Sequence, residues 1–504
     1  MNQLYYGDNL EIMRNEIPDE SVDLCYIDPP FNSKRNYNQI YSVNIEDKAQ
    51  VQMFVDTWNW NHLAQSEFDE IRKNYNGIFT KQTSDLIRGL HQILGEGSLL
   101  SYLVSMTLRV NEIHRVLKSN GTFYLHCDST ASHYLKLVLD SIFGSYKNCF
   151  LNEIIWCYNI GGKSKRYFAK KHDTIFWYAK GKDYYFDGTK SGLQRDTGIK
   201  STGGRMGVDD NGRPYQDKLA KSGKVYRYYL DEPKIPEDWW IDIKPLQSQD
   251  KERLTYSTQK PEMLLERIIK TSSQEDAVIL DAFCGCGTTV AVAQKLGRKW
   301  IGIDISYYSI SLIIKRLEES YGEDVMNNVI VGGIPMDMQS AEALALKKDD
   351  RLRKEFERWA ILTYSNNRAM VNDKKGKDGG VDGSMVIDVS LDVPNLTHDI
   401  LFSVKSGKVG VNMIRDFRGV IERSGDVAFG VFITLKPPTK DMLKEAALAG
   451  SYSNDFMHEV PKIKIVTIED IVDKKERLNV VLAKNVVKSA KVTVVEDRQA
   501  GKLE

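Results

Sequence analysis

Two stretches hold residues whose types and spacing could do chemistry. One is Asp28-Pro29-Pro30-Phe31; the other is Phe283-Cys284-Gly285-Cys286-Gly287, with Asp281 before it and Asp304 after it. In the second, Gly285 and Gly287 carry no Cβ, so backbone can press close against a ligand. An acid ending the following strand stands where it can accept both hydroxyls of a ribose. That is nucleoside-binding chemistry. The pattern is F-x-G-x-G followed by Thr288-Thr289, without the third glycine with which G-x-G-x-x-G rests a pyrophosphate on a helix N-terminus. In the first stretch, two prolines fix a rigid, extended exit that presents the Asp28 carboxylate and the Phe31 ring.

The surrounding pattern predicts the elements that must hold these groups. Val278-Ile279-Leu280 is a short apolar run suited to a buried parallel strand, Thr288–Leu296 reads as a helix, and Trp300–Ile303 as the next strand. Gln3–Tyr6 reads as a strand, Leu10–Asn15 as a helix, and Ser21–Ile27 as a strand running into Asp28. Doubly wound folds place their chemistry at the carboxyl edge of such strands. At 504 residues the chain is too long for one core, so two or three domains are expected. The amino-terminal MNQLYYGDNLEIM has neither a basic n-region nor an apolar h-region, and no run approaches a membrane span, so a cytoplasmic protein without membrane contact is expected. Six cysteines, Cys25, Cys127, Cys149, Cys157, Cys284 and Cys286, lack paired metal spacing and read as reduced packing thiols. Lys and Arg balance Asp and Glu at 69 each, but Ile160–Leu230 holds sixteen of the former against seven of the latter. Aromatics, among them Tyr167, Phe168, Tyr226, Tyr228 and Tyr229, are interleaved there, as on a phosphate-contacting face.

F-x-G-x-G resembles motif I of the S-adenosyl-L-methionine-dependent methyltransferases, and D-P-P-F resembles the [DNS]-P-P-[YFW] motif of the amino-methylating DNA methyltransferases. The catalytic motif comes first, which is similar to the β group of that family. Gly121–Thr130, His172–Lys180 and Tyr256-Ser-Thr-Gln-Lys-Pro261 with its helix Glu262–Thr271 resemble further family motifs. Ala282 departs from the family, which often has Pro there. The resemblance implies a Rossmann-like α/β domain over 1–330, with an insertion at 34–99 and target recognition at about 187–250, a segment that otherwise reads as loops. It implies methyl transfer from S-adenosyl-L-methionine to adenine N6 of a flipped-out base in double-stranded DNA, in a restriction-modification or defence setting. Asp28 and the Pro29 carbonyl, held by Pro30, would accept the two N–H groups of the amine, and Phe31 would stack on the base. Asp304 would take the ribose hydroxyls, while Asp281, Phe283, Gly285, Gly287, Thr288 and Lys260 would line the rest of the cofactor site. Asp8 reads either as a neighbour of the cofactor's adenine or as the cap of the helix after it. Cytosine N4 is the alternative target. Cytosine C5 methylation needs a Cys after Pro, and none of the 13 prolines has one. No metal is implied in this domain, and a homodimer or a separate restriction subunit stays open.

After Gly332-Gly333-Ile334-Pro335 the pattern changes, with a linker expected at 331–350. Ser340–Leu362 reads as one charged helix, followed by the loop Asp373–Gly383, strands at Ser384–Leu391 and Ile400–Lys405, a helix near Val411–Arg423 and the strand Ala428–Thr434. This order resembles the PD-(D/E)xK restriction-endonuclease fold over 351–455. By that resemblance Asp382 would bind Mg2+, Lys405 would be the catalytic lysine and Glu357 would support the metal. Ser403 stands where the fold expects Glu, Asp or Gln, and a neutral hydroxyl is a weaker ligand for a hard cation. A bifunctional methyltransferase-endonuclease and a degenerate, DNA-binding nuclease fold are the two readings. Residues 456–504 are expected to form a small β appendage and tail. No G-x-x-x-x-G-K-[ST] is present, so no ATP-driven motor is expected in this chain.

Overall fold

The computed structural model describes residues 1–30, 36–44, 47–55, 58, 60–144, 149–159, 165–193, 204–247, 249–254, 256, 258–335, 337–346, 350–365, 369–372, 380–390, 396–478 and 480. Of 36–44, 47–55, 350–352 and 388 it describes the backbone alone. Phe31 and the glycine-rich loop over 373–379 lie outside these residues.

A nine-stranded sheet runs in the order Trp239–Trp240, Phe150–Cys157, His172–Ala179, Leu117–Cys127, Val22–Ile27, Val278–Asp281, Lys299–Asp304, Asn2–Tyr6, Val329–Gly332. The last six are mutually parallel, and His172–Ala179 is antiparallel to its two neighbours. Alternation gives the central strands two buried faces. Leu24 and Tyr26 join one core cluster, while Cys25 and Ile27 join the other with Leu100, Leu103 and Met106 of the helix Ser98–Val116. Strands covered on both sides explain why short apolar runs, rather than strict alternation, mark them in the sequence. No helix among the described residues is long and apolar enough to cross a membrane.

Part of the 34–99 insertion is built into this domain. Its helices His62–Lys73 and Lys81–Leu94, capped by Asn61 and Thr80, pack against Ser98–Val116. Trp58 meets Tyr102 edge-on at 5.4 Å and Trp60 meets Phe68 at 5.8 Å, so these two partly buried rings pack against the core of this domain.

The segment 187–250, expected as loops, carries an antiparallel sheet of Arg205–Val208, Pro214–Leu219 and Val225–Tyr229. The strands hold by cross-strand cation–aromatic pairs rather than by an apolar face, and therefore show no hydrophobic period. The Arg227 guanidinium lies 3.6 Å from the Tyr215 ring centre and that of Arg213 4.0 Å from Tyr229. Trp240 is buried at the edge of the large sheet and Trp239 is exposed.

Beyond Gly332 the single expected helix is two, Met338–Ala345 and Asp350–Tyr364, and the first occupies the expected linker. Asp337 and Ser340 form a capping box that starts it. A second sheet runs Met370–Val371, Gly383–Asp388, Thr397–Lys405, Val427–Thr434, Ile463–Thr467. Its last strand pairs in parallel with Val427–Thr434 and buries Ile463 and Val466, so the sheet continues past residue 455 into what was expected to be an appendage. The helix Asp350–Tyr364 touches both sheets. Tyr6 donates to Glu355 at 2.8 Å, and the hydroxyls of Tyr307 and Thr363 meet at 2.9 Å.

Candidate active site

Three carboxylates stand at the carboxyl ends of three adjacent parallel strands. Asp28 follows Val22–Ile27, Asp281 ends Val278–Asp281, and Asp304 ends Lys299–Asp304. Pairing of Cys25 with Leu280 and of Asp281 with Gly302 brings them together although they lie far apart in the chain. They line a cleft of about 870 Å³, counted out to its open mouth, with Tyr26, Pro29, Pro30, Tyr256, Lys260, Phe283, Gly285 and Thr288.

Asp28 is held by its ion pair with Lys260, which reaches Oδ2. Its Oδ1 is buried with no hydrogen-bond partner in the structure. A buried acceptor left open is costly unless a ligand fills it. Asp281 accepts from the Phe283 N–H at 3.0 Å and the Thr289 hydroxyl at 2.5 Å. Burial pushes its carboxyl up to about 7, the charges of Asp28 and Asp304 adding to it. Asp304 accepts from the N–H groups of Gly285 and Ser306, each at 2.8 Å. Burial lifts it to about 6 despite those bonds.

The glycines do different work. Gly285 has φ +49°, and a Cβ there would come within 3.2 Å of the Tyr256 hydroxyl in the cleft wall. Gly287, at φ +75°, caps the helix Thr288–Lys295, and a Cβ would meet Ile313 at 2.5 Å. It is absent from the cleft lining, so it packs the helix instead of facing ligand. Asp8 is also absent from the lining. It caps the helix Asn9–Glu16, accepting from Leu10 and Glu11, and pairs with Arg109 at 2.9 Å. Cys284 and Cys286 are buried free thiols in the wall, pushed up by burial. Tyr26 and Thr289, unassigned from sequence, belong to the site. The signal for Tyr26 was its place two residues before Asp28, on the same strand face.

Three carboxylates against one lysine fit S-adenosyl-L-methionine, whose sulfonium is a cation. Asp304 can take ribose hydroxyls, and the strip at Gly285 leaves room for backbone contact.

The carboxyl-terminal cluster is arranged otherwise. Asp382 Oδ2 accepts from the Val404 N–H at 2.8 Å, with Lys405 at 3.4 Å and Ser403 at 3.5 Å, and Lys354 lies 3.9 Å from Oδ1. Lys354 also pairs with Glu357 at 2.7 Å. Burial pushes the Glu357 carboxyl up. Ser403 is buried and donates to the Gly380 carbonyl at 2.8 Å. Two acids already neutralised by two lysines do not fit Mg2+. Among the described residues no group of three or more His, Cys, Asp or Glu could hold a metal.

A DNA methylase family model matches residues 22–315 and a restriction endonuclease model residues 352–472. The DNA adenine methyltransferase YhdJ of Escherichia coli K12 is 26% identical over 317 residues, covering 62% of this chain and 82% of that protein. The type II methyltransferase M.ScaI of Streptomyces caespitosus is 24% identical over 322 residues, covering 62% and 81%. Among solved structures, the PvuII DNA methyltransferase (cytosine-N4-specific) aligns at TM-score 0.37 and 14% identity, over 66% of this chain and 95% of that one. The family match spans more than half of the chain and includes both motifs whose side chains meet in the cleft. The chain therefore belongs to the DNA methylase family, as an S-adenosylmethionine-dependent DNA methyltransferase with a restriction-endonuclease-like domain at its carboxyl end.

Proposed function

We propose that the enzyme methylates adenine N6 in double-stranded DNA. The observation that carries this reading is the open Asp28 Oδ1, beside Pro29 and Pro30 at the cleft wall. The lone pair of an exocyclic amine is conjugated into its ring, so the nitrogen is a poor nucleophile. Asp28 and the Pro29 carbonyl hold its two N–H groups and draw it toward tetrahedral geometry. Lys260 fixes the carboxylate, and the gain is orientation and electrostatics. Bound S-adenosylmethionine supplies the electrophilic methyl. A stacked base cannot reach this depth, so the target flips out of the duplex. Adenine is favoured over cytosine by D-P-P-F, and the relative YhdJ is named an adenine methyltransferase. The basic, aromatic segment between the motifs reads the target. The carboxyl-terminal domain holds DNA without cutting it, because Ser403 stands where an acid is needed and Asp382 is paired with Lys354 as well as Lys405.

Labelled S-adenosylmethionine, unmethylated bacterial DNA and digestion to nucleosides test this. Label in N6-methyladenine is expected. Label in N4-methylcytosine would overturn the target base.

A further inference from the structure

Behind the cleft wall runs a buried chain of polar groups that transfer itself does not touch. The Tyr26 hydroxyl lies 2.9 Å from His126 Nδ1, and His126 Nε2 lies 3.1 Å from Asp173 Oδ2. Tyr158 donates to Asp173 Oδ1 at 3.1 Å. His126 is fully buried, with the Trp156 ring edge-on at 5.7 Å. His126 and Asp173 come from Leu117–Cys127 and His172–Ala179, whose register sets Cys127 opposite Thr174. Both lie in motifs to which the sequence assigned no role.

We propose that Asp173 and His126 are positioning residues that hold the Tyr26 hydroxyl proton away from the cleft, so that the wall beside Asp28 presents no competing donor. This rests on the amine-binding reading of Asp28. A carboxylate on Nε2 requires the proton there, and the ring then accepts at Nδ1. Tyr26 has one proton to give. Donated to Nδ1, it is not available to the open Asp28 Oδ1. The opposite tautomer would make His126 the donor and release the tyrosine proton toward the cleft, where Tyr26 is part of the lining. Burial raises the Asp173 carboxyl, but the hydrogen bond from the His126 ring, the charge of Lys260 and the Tyr158 hydroxyl outweigh it and hold the group below its ordinary value. Asp173 thus stays an acceptor. In Ser-His-Asp enzymes the same substitution of Asp by Asn leaves geometry intact while presenting the wrong tautomer.

The test uses the full chain, total label transferred to DNA irrespective of base, and equilibrium affinity for S-adenosylmethionine. An error about adenine thus leaves the test standing. Asp173→Asn is expected to slow transfer by about 10- to 100-fold, the usual range for an outer-layer partner, with cofactor affinity unchanged. Tyr26→Phe should cost less, and the double variant should turn over faster than Asp173→Asn alone, because the misdirected proton is gone. A double variant as slow as or slower than Asp173→Asn would overturn the proposal, as would a parallel loss of cofactor affinity. If Asp173→Asn does not fold, His126→Phe carries the same pair of measurements, because it removes the acceptor and leaves the Tyr26 proton free. Transfer should again fall about 10- to 100-fold with cofactor affinity unchanged, and Tyr26→Phe should again restore it; no restoration would overturn the proposal.

Discussion

Asp28 follows the strand Val22–Ile27 and Asp382 precedes the strand Gly383–Asp388; both face a lysine, and both lie in motifs that resemble catalytic ones. They differ in what is left over. Asp28 gives one oxygen to Lys260 and keeps the other buried and open, whereas Asp382 spends Oδ2 on a backbone N–H and is flanked by Lys405 and Lys354. A prepared site keeps an unsatisfied group and relies on the fold to tolerate it. In the carboxyl-terminal cluster the open atom is instead Glu357 Oε2, beside Lys354. Motif residues therefore mark where chemistry could be, and the partners of each oxygen show which atom a ligand would find.

That contrast can be broken or sharpened. Lys260→Ala leaves the part-buried Asp28 carboxylate without the cation that holds it. Transfer should fall on the order of 10- to 100-fold, whereas Lys405→Ala should leave it unaffected; single-turnover rates of both variants check this. Gly287→Ala forces a side chain into left-handed backbone against Ile313, and thermal unfolding should register a loss of about 1–3 kcal/mol. Affinity for S-adenosylmethionine should rise on the order of tenfold from pH 5.5 to 8. Asp281 at about 7 and Asp304 at about 6 are partly protonated at the lower pH, and a bound cation lowers both, so binding releases protons until both are ionised. Calorimetry across that range checks the sign. The smallest effect belongs to the second site: millimolar Mg2+ should raise the thermal midpoint by less than about 1 °C, and a larger rise abolished by Asp382→Ala would show that the lysines do yield to metal.

Much of the methyltransferase half was legible because a strand with two buried faces and a glycine turn write themselves in local residue types. Val278–Asp281, Thr288–Lys295 and Lys299–Asp304 fall within a residue or two of the expected elements. What escaped was set by partners distant in the chain. The Arg205–Tyr229 sheet is held by arginine–tyrosine pairs that no hydrophobic period reveals. Ile463–Thr467 is too short to show that it completes a sheet begun 93 residues earlier, at Met370. Asp8 fits either a cap or a ligand by sequence, and only the position of Arg109 and the cleft lining decide that it caps. His126 and Asp173 were visible as motif members, but their shared contact with Tyr26 appears only when antiparallel strands bring them into register.

The most direct test of the open acceptor is single-turnover methyl transfer by wild type and Asp28→Ala, each saturated with S-adenosylmethionine whose affinity is measured separately. Comparable affinities with a transfer rate reduced at least about 100-fold in the variant are predicted, the scale on which a preorganised group acts in the transition state. A variant that binds the cofactor normally and still transfers methyl at near the wild-type rate would contradict the account.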